Sequence, residues 1–292
     1  MPELPEVEVT RRRIAPLLVG REISKVRTTR ASYFFLTPPA ALRRGLVGQR
    51  IVALRRQGKY LLAELQAGAR LMLHLGMSGQ LFTDSARSVR LLSASARSAL
   101  PPERQARFEA DRHTHLRLEF ADGGESVLFR DVRKFGKVRL LAPGESDPRL
   151  DKLGVDALSI RGEDLYAAAR GRRAAVKNLI LQQSVIAGVG NIYADEGLFL
   201  AGIRPTRAAR RLTRPDCRRL VEGLQRVLKR SIETGGSSIS DFVSPDGGDG
   251  GYQDERRVYA RAGQPCRVCA GPIRKTVVGQ RGTHYCPRCQ KR

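Results

Sequence analysis

The spacing of hydrophobic residues changes character twice along the chain. Val7, Thr10, Arg11, Ile14, Leu17 and Leu18 fall at helical intervals, which predicts an amphipathic helix near the start. Pro5 suits its first turn, and Glu3 and Glu6, three apart, share a face if the turn reaches them. Short β-branched or apolar runs follow, broken by glycine or polar residues. They predict strands over 25–36, 50–54, 60–65 and 70–75. Runs 114–120 and 125–130 flank Ala121-Asp122-Gly123-Gly124, a hairpin signal, and 138–141 reads as a further strand. Residues 1–150 therefore read as a β-sandwich or barrel behind a leading helix. Inside them, 85–112 is rich in Ser, Ala and Arg, holds Pro101-Pro102, and is expected as an inserted surface loop.

After Pro148 the period lengthens again. Helices are predicted over 162–171, 174–184, 192–200 and 213–233. In the last, Leu220, Leu224, Val227, Leu228 and Ile232 form one stripe, Thr213 is the N-cap, and Gly235-Gly236 the stop. Residues 235–251 contain six glycines, and no packed structure is expected of them. The boundaries read from the pattern are 1–150 for the β domain, 151–240 for a helical domain, and 241–292 for a glycine-rich loop with a cysteine-bearing tail. The fold class is α+β.

Composition narrows the partners. Lys and Arg number 53 against 29 Asp and Glu, a net charge of +24. That excess points to a polyanion, with nucleic acid foremost. The first twenty residues lack a signal-peptide core, and no run of 18 apolar residues exists. The expected location is the cytoplasm, on DNA or RNA and away from membranes.

The candidate chemistry begins at the first residues, Met1-Pro2-Glu3-Leu4-Pro5-Glu6. Initiator methionine is readily removed before a small residue, which would leave a secondary amine at Pro2. Such an amine, with carboxylates beside it, is equipped to attack a sugar or carbonyl carbon and form a Schiff base. An α-amino group titrates near 8 and lysine near 10.4, so at pH 7.5 about a quarter of the former is neutral against about 0.1% of the latter.

At the other end, Cys266-x2-Cys269 and Cys286-x2-Cys289 are separated by sixteen residues. Four thiolates in two such pairs satisfy one tetrahedral Zn²⁺ and leave no open position, so the metal is structural. Cys217 lies far from both pairs and reads as a packing residue. Residues 256–292 carry ten Lys or Arg and no acid, the bias of a phosphate grip, and Arg281 sits where a hairpin tip would project it. Gly188-Val189-Gly190-Asn191 separates two helices and could bring backbone N–H groups to an anion. Lys59, His74 and Arg133 at strand ends would each, taken alone, be solvated cations. Met77 and Phe135, taken alone, would be core filler.

Taken in order, the motifs resemble one family. They are Met1-Pro2-Glu3-Leu4-Pro5-Glu6-Val7-Glu8, Gly58-Lys59-Tyr60-Leu61-Leu62, His74-Leu75-Gly76-Met77-Ser78-Gly79, Arg133-Lys134-Phe135-Gly136, Gly188-Val189-Gly190-Asn191-Ile192-Tyr193 and the four-cysteine finger. Together they are similar to bacterial formamidopyrimidine-DNA glycosylases over essentially the whole chain. The resemblance implies a β-sandwich catalytic domain, a helix–two-turn–helix domain and a zinc finger. It implies base-excision repair by a monomer acting on duplex DNA with oxidised bases or abasic sites, at the bacterial nucleoid. Oxidised purines, 8-oxoguanine and formamidopyrimidines, would be excised through a Pro2 Schiff base, with β,δ-elimination of the strand. Pro2, Glu3, Glu6 and Lys59 would be the catalytic set. Met77, Arg133 and Phe135 would fill the gap left by the flipped base. Lys59, His74, Asn191, Tyr259 and Arg281 would hold flanking phosphates. The chain departs from the family pattern in Val132, where many members have proline, in a longer 85–112 segment, and in the absence of Lys or Arg between Ser231 and Arg256. Two other readings remain open at this point: an endonuclease VIII-like enzyme for oxidised pyrimidines, and a non-catalytic zinc-ribbon DNA-binding protein.

Overall fold

The computed structural model describes residues 2–86, 110–239 and 242–291. Most of the expected 85–112 loop lies outside them. The chain divides into two compact units. One comprises residues 1–147 with 234–251, and the other 148–233 with 252–292.

In the first unit, α1 (Leu4–Leu18) buries Val7, Ile14 and Leu18 against strand residues, as its periodicity predicts. β1 (Ile23–Thr28), α2 (Pro39–Leu46), β2 (Ile51–Gln57), β3 (Tyr60–Leu65), β4 (Arg70–His74), β5 (Gly79–Thr83), β6 (Thr114–Phe120), β7 (Val127–Asp131) and β8 (Lys137–Leu141) follow. The strands form two antiparallel four-stranded sheets, ordered β1-β6-β7-β5 and β2-β3-β4-β8. One contiguous apolar cluster of residues from both sheets, α1 and α2 fills the sandwich, including Phe34, Leu61, Leu73, Phe129 and Val138. The expected strand over 25–36 stops at Thr28, and the rest of that run contains a turn in which Phe35 N–H donates to the Ser32 carbonyl at 3.0 Å. α2 and β5 were not foreseen. α2 starts at Pro39, and β5 is only five residues long and opens on Gly79.

The described residues of 235–251 contradict the expectation of an unpacked loop, and their assignment to the first unit departs from the boundary expected at 240. Ser237, Ser238, Phe242, Val243 and Ser244 are buried, and the segment belongs to the first unit. The glycines are what permit this. A Cβ at Gly250 would lie 2.2 Å from the Gly236 carbonyl oxygen, so two backbone strands meet where no side chain fits.

In the second unit, α3 (Gly162–Ala169), α4 (Val176–Leu181), α5 (Asn191–Leu200) and α6 (Arg214–Glu233) are helical as predicted, each within a few residues. Thr213 caps α6: Asp216 N–H donates to Thr213 Oγ1 at 3.2 Å, and Thr213 N–H to Asp216 Oδ2 at 3.0 Å. Cys217 is fully buried on α6, and burial pushes its thiol up to about 11, as suits a packing residue. The tail forms a two-stranded hairpin, β9 (Arg274–Val278) with β10 (Arg281–Tyr285).

Candidate active site and nucleic-acid interface

The start of α1 is a tightly held corner. Pro2 is buried, and Glu3 and Glu6 are 2% and 1% exposed. Glu3 and Glu6 form a reciprocal capping box, in which Glu3 N–H donates to Glu6 Oε2 at 2.9 Å. The other oxygen of Glu6 accepts the Ser237 N–H at 2.9 Å. The glycine-rich segment is thereby tied to the catalytic candidates, with Gly236 against the Glu6 side chain.

Lys59 is 8% exposed in the two-residue turn between β2 and β3. That turn is linked to α1. Arg56 donates to Glu8 at 3.1 Å and to the Gly58 carbonyl at 3.0 Å. Burial of Glu8 works against its charged form, but hydrogen bonds from Arg11 and Arg12 outweigh it and hold the carboxyl at about 2. Next to Lys59, the Tyr60 ring packs on His74, centroids 4.6 Å apart, so Lys59 and His74 share one end of the β3–β4 pair.

Met77, Arg133 and Phe135 come together on two loops. Met77 is 38% and Phe135 44% exposed, so neither is core filler. The Arg133 guanidinium stands 4.9 Å from the Phe135 ring centroid, within cation–π range. Sequence reasoning missed what holds these loops. Asp131, fully buried, accepts from Ser78 Oγ at 2.6 Å, Gly136 N–H at 2.7 Å and Arg133 N–H at 3.2 Å. Gly76 cannot be larger, since a Cβ there would lie 2.5 Å from Gly136 N. The signals available were an acid two residues before Arg133 and glycines in both motifs.

In the second unit, Asn191 opens α5 and its Nδ2 donates to the Gly282 carbonyl at 3.0 Å, next to exposed Arg281 at the hairpin tip. Lys177, completely buried, reaches the same carbonyl at 3.0 Å and pairs with Asp195 at 2.7 Å. Asp195 also accepts the His284 N–H at 2.7 Å. Glu196 accepts three N–H groups, from Arg257, Val258 and Tyr259, at 2.8, 2.9 and 2.8 Å. Burial nevertheless raises its carboxyl above the ordinary range. The Tyr259 ring meets His284 edge-on at 5.2 Å. Asn191, Tyr259 and Arg281 are thus gathered around one hairpin. Lys177, Asp195 and Glu196 were not foreseen, although two adjacent acids inside the apolar run Asn191–Leu200 are an unusual pattern.

The sulfurs of Cys266, Cys269, Cys286 and Cys289 all lie within 4.8 Å of one another, with Cys266 to Cys289 at 3.8 Å. Tetrahedral Zn–S bonds of about 2.3 Å require sulfurs about 3.8 Å apart, so the cage fits one zinc ion. Val268 N–H and Cys289 N–H point at cage sulfurs at 3.4 Å, which supports thiolate charge.

Comparison with known proteins agrees with this arrangement. Residues 1–138 match the family described as formamidopyrimidine-DNA glycosylase N-terminal domain, and residues 153–243 its H2TH domain. The chain belongs to the formamidopyrimidine-DNA glycosylase family. Residues 263–292 match the zinc finger found in FPG and IleRS, and the protein holds one structural zinc. Over the full length of both chains it is 44% identical to formamidopyrimidine-DNA glycosylase of Methylococcus capsulatus and 42% identical to that of Neisseria meningitidis. Among solved structures it is similar to the MutM (Fpg) protein of Thermus thermophilus, with TM-score 0.82 and 37% identity over 99% of this chain and 98% of that one. It is also similar to a Lactococcus lactis Fpg mutant in complex with Fapy-dG containing DNA, with TM-score 0.83 and 32% identity over all of both chains. Among the described residues, no helix is long and apolar enough to cross a membrane.

Proposed function

We propose that Pro2, Glu3, Glu6 and Lys59 carry the reaction of this base-excision enzyme, a DNA glycosylase for oxidised purines with the lyase activity of its family. The substrates are duplex DNA with formamidopyrimidine or 8-oxoguanine, and DNA with abasic sites, as in the complexes of its structural relatives.

With Met1 removed, the Pro2 nitrogen attacks C1′ of the damaged nucleotide. The bond from C1′ to the base breaks, and the base leaves with its electron pair and takes up the proton that the Pro2 nitrogen sheds on bonding to C1′. Glu3 gives a proton to the ring oxygen as the sugar opens, leaving an iminium between Pro2 and C1′. The iminium acidifies the C2′ hydrogen. Loss of that proton expels the 3′ phosphate, and a second elimination expels the 5′ phosphate. Glu6 keeps the corner in register, and Lys59 balances phosphate charge beside it.

The base must leave the stack first, at a cost of a few kcal/mol. Phe135 and Met77 fill the vacated space and Arg133 meets the orphaned base. His74, Asn191, Tyr259 and Arg281 hold flanking phosphates. The enzyme works as a monomer in the bacterial cytoplasm, at the nucleoid.

The observation that carries this reading is the buried Pro2–Glu3–Glu6 corner, where the candidate nucleophile adjoins two carboxylates fixed by backbone bonds. Borohydride should trap a covalent complex with lesion DNA, and peptide mapping should place it on Pro2. Trapping on a lysine, or trapping that survives a tag before Pro2, overturns the assignment.

A further inference from the structure

The second unit contains an exposed arginine cluster that none of these roles employs. A backbone ladder holds two loops side by side: Val176 N–H donates to the Arg207 carbonyl at 2.7 Å, Ala209 N–H to Ala174 at 2.8 Å, and Arg210 N–H to Arg172 at 2.9 Å. Arg170, Arg173, Arg210 and Arg211 are exposed on these loops, and a cleft of about 120 Å³ lies between Arg170, Arg210 and Tyr166.

Nearby acids are engaged elsewhere. Asp164 holds Arg161, Glu163 holds Arg214 and Arg218, and Asp216 holds Arg207 and Arg219. Among the described residues, no acid pairs with Arg170, Arg173, Arg210 or Arg211. Four neighbouring cations without counter-charge repel one another, and a polyanion relieves that repulsion.

We propose that these four arginines form a second grip on the phosphate backbone of the bound duplex. They would continue the contacts assigned to Asn191 and Arg281, so the proposal rests on that reading. The position supports continuity. Lys177 touches the hairpin tip at Gly282, and Arg173 lies four residues before it. Four residues span at most about 14 Å of extended chain. A duplex places a phosphate on each strand every 3.4 Å or so along its axis, so that reach corresponds to about four base-pair steps. The neighbouring apolar residues Ala169, Ala209 and Leu212 are buried. A protein partner would look for an exposed apolar anchor there, whereas phosphates need none.

The test is the salt dependence of binding by the full zinc-loaded chain to undamaged duplexes of increasing length. Each neutralised phosphate contributes about 0.9 to the slope of log K against log salt, so the four contribute about 3 to 4. The quadruple Arg→Gln variant should lose that slope on long duplexes, while the quadruple Arg→Lys variant keeps it. On the shortest lesion duplex that is still excised, both should match wild type in slope and in saturated single-turnover rate. Equal slopes for wild type and the Gln variant on long duplexes overturn the proposal. So does equal loss in the Lys variant, which would mean shape and not charge. So does capture of an acidic peptide by the patch with duplex binding unchanged. Arg281→Ala on the short duplex judges the earlier reading separately: a slope unchanged there removes the hairpin-tip grip, and loss of slope in the quadruple variant on long duplexes would then identify the patch as an independent grip.

Discussion

Two pairs of buried carboxylates, one in each unit, solve different problems with the same bonds. Glu3 and Glu6 begin α1, where helix N–H groups have no partners of their own, and each accepts from the other's backbone. Asp195 and Glu196 sit inside α5, where backbone bonds are already made, so their oxygens are available to other segments. Asp195 takes Lys177 and His284, and Glu196 takes three consecutive N–H groups before the finger. The first pair holds the start of α1 and the Ser237 segment in place, and in the proposed reaction it positions groups for chemistry. The second fastens a small metal-bound tail, with its apolar contacts to Phe199 and Val258, to a helix. Burial alone therefore does not mark a catalytic acid; what the carboxylate holds in place does.

The largest expected effect separates the pairs directly. If Glu3 is the proton donor in ring opening, Glu3→Gln should lower excision of 8-oxoguanine by about 10²–10⁴. It should keep part of the cleavage at preformed abasic sites, where the sugar opens spontaneously. Its cost in stability should resemble an altered helix cap, about 0.5–2 kcal/mol. Single-turnover rates on the two substrates check this, and an equal fall in both activities gives Glu3 another role.

Asp195→Asn should do the opposite. It leaves Lys177 charged and buried, and breaking such a pair costs about 3–5 kcal/mol. Urea unfolding of the zinc-loaded protein should show that loss, together with weaker duplex binding. Covalent trapping at saturating enzyme should be little changed. A stable variant with wild-type binding would show that the pair does not fasten the finger.

The contrast also explains what the sequence disclosed. The elements with strong periodicity, α1, α6 and most strands, were legible, because one buried face dictates them. The cysteine pairs were legible because zinc ligation demands residue type and spacing. What escaped depended on long-range partners. Asp131, Asp195 and Glu196 are ordinary acids until the fold places N–H groups around them. Residues 235–251 look like a linker by composition, and only the close approach of Gly236 and Gly250 beside Glu6 reveals a packed layer. β5 is short and both its faces are buried, so it shows no alternation to read.

A smaller effect is expected at the two loops that Asp131 braces. Cytosine offers O2 and N3 as acceptors to a guanidinium, while adenine presents an amino donor on that edge. One good bidentate contact is worth about 1–3 kcal/mol, so the enzyme should prefer 8-oxoguanine opposite C over opposite A by roughly ten- to a hundredfold. Arg133→Ala should flatten that preference and spare abasic-site cleavage, whereas Phe135→Ala should slow all duplex substrates. Equal wild-type rates on the two pairs would remove Arg133 from partner choice.

The smallest effect is a difference in pH response between the units. In the first, Glu8 is held at about 2, so its contribution is complete above the ordinary value of 4.5 and is lost only as pH falls from there toward 2. In the second, burial raises Glu196 above 4.5. The folded state then keeps a proton that the unfolded chain has released, and this group's contribution falls as pH rises from 4.5 through the raised value. Acidification from neutrality toward 4.5 should therefore relieve a cost in the second unit while leaving Glu8 untouched. Zinc binding weakens over the same range as thiolates protonate, so the readout must be a difference between proteins. Hydrogen exchange at the amides of Arg257, Val258 and Tyr259, corrected for intrinsic rate, should gain protection on acidification in wild type relative to Glu196→Gln. The amides of α1 should respond identically in both. If the two proteins run parallel at residues 257–259, Glu196 ionises normally, and its three N–H bonds outweigh its burial.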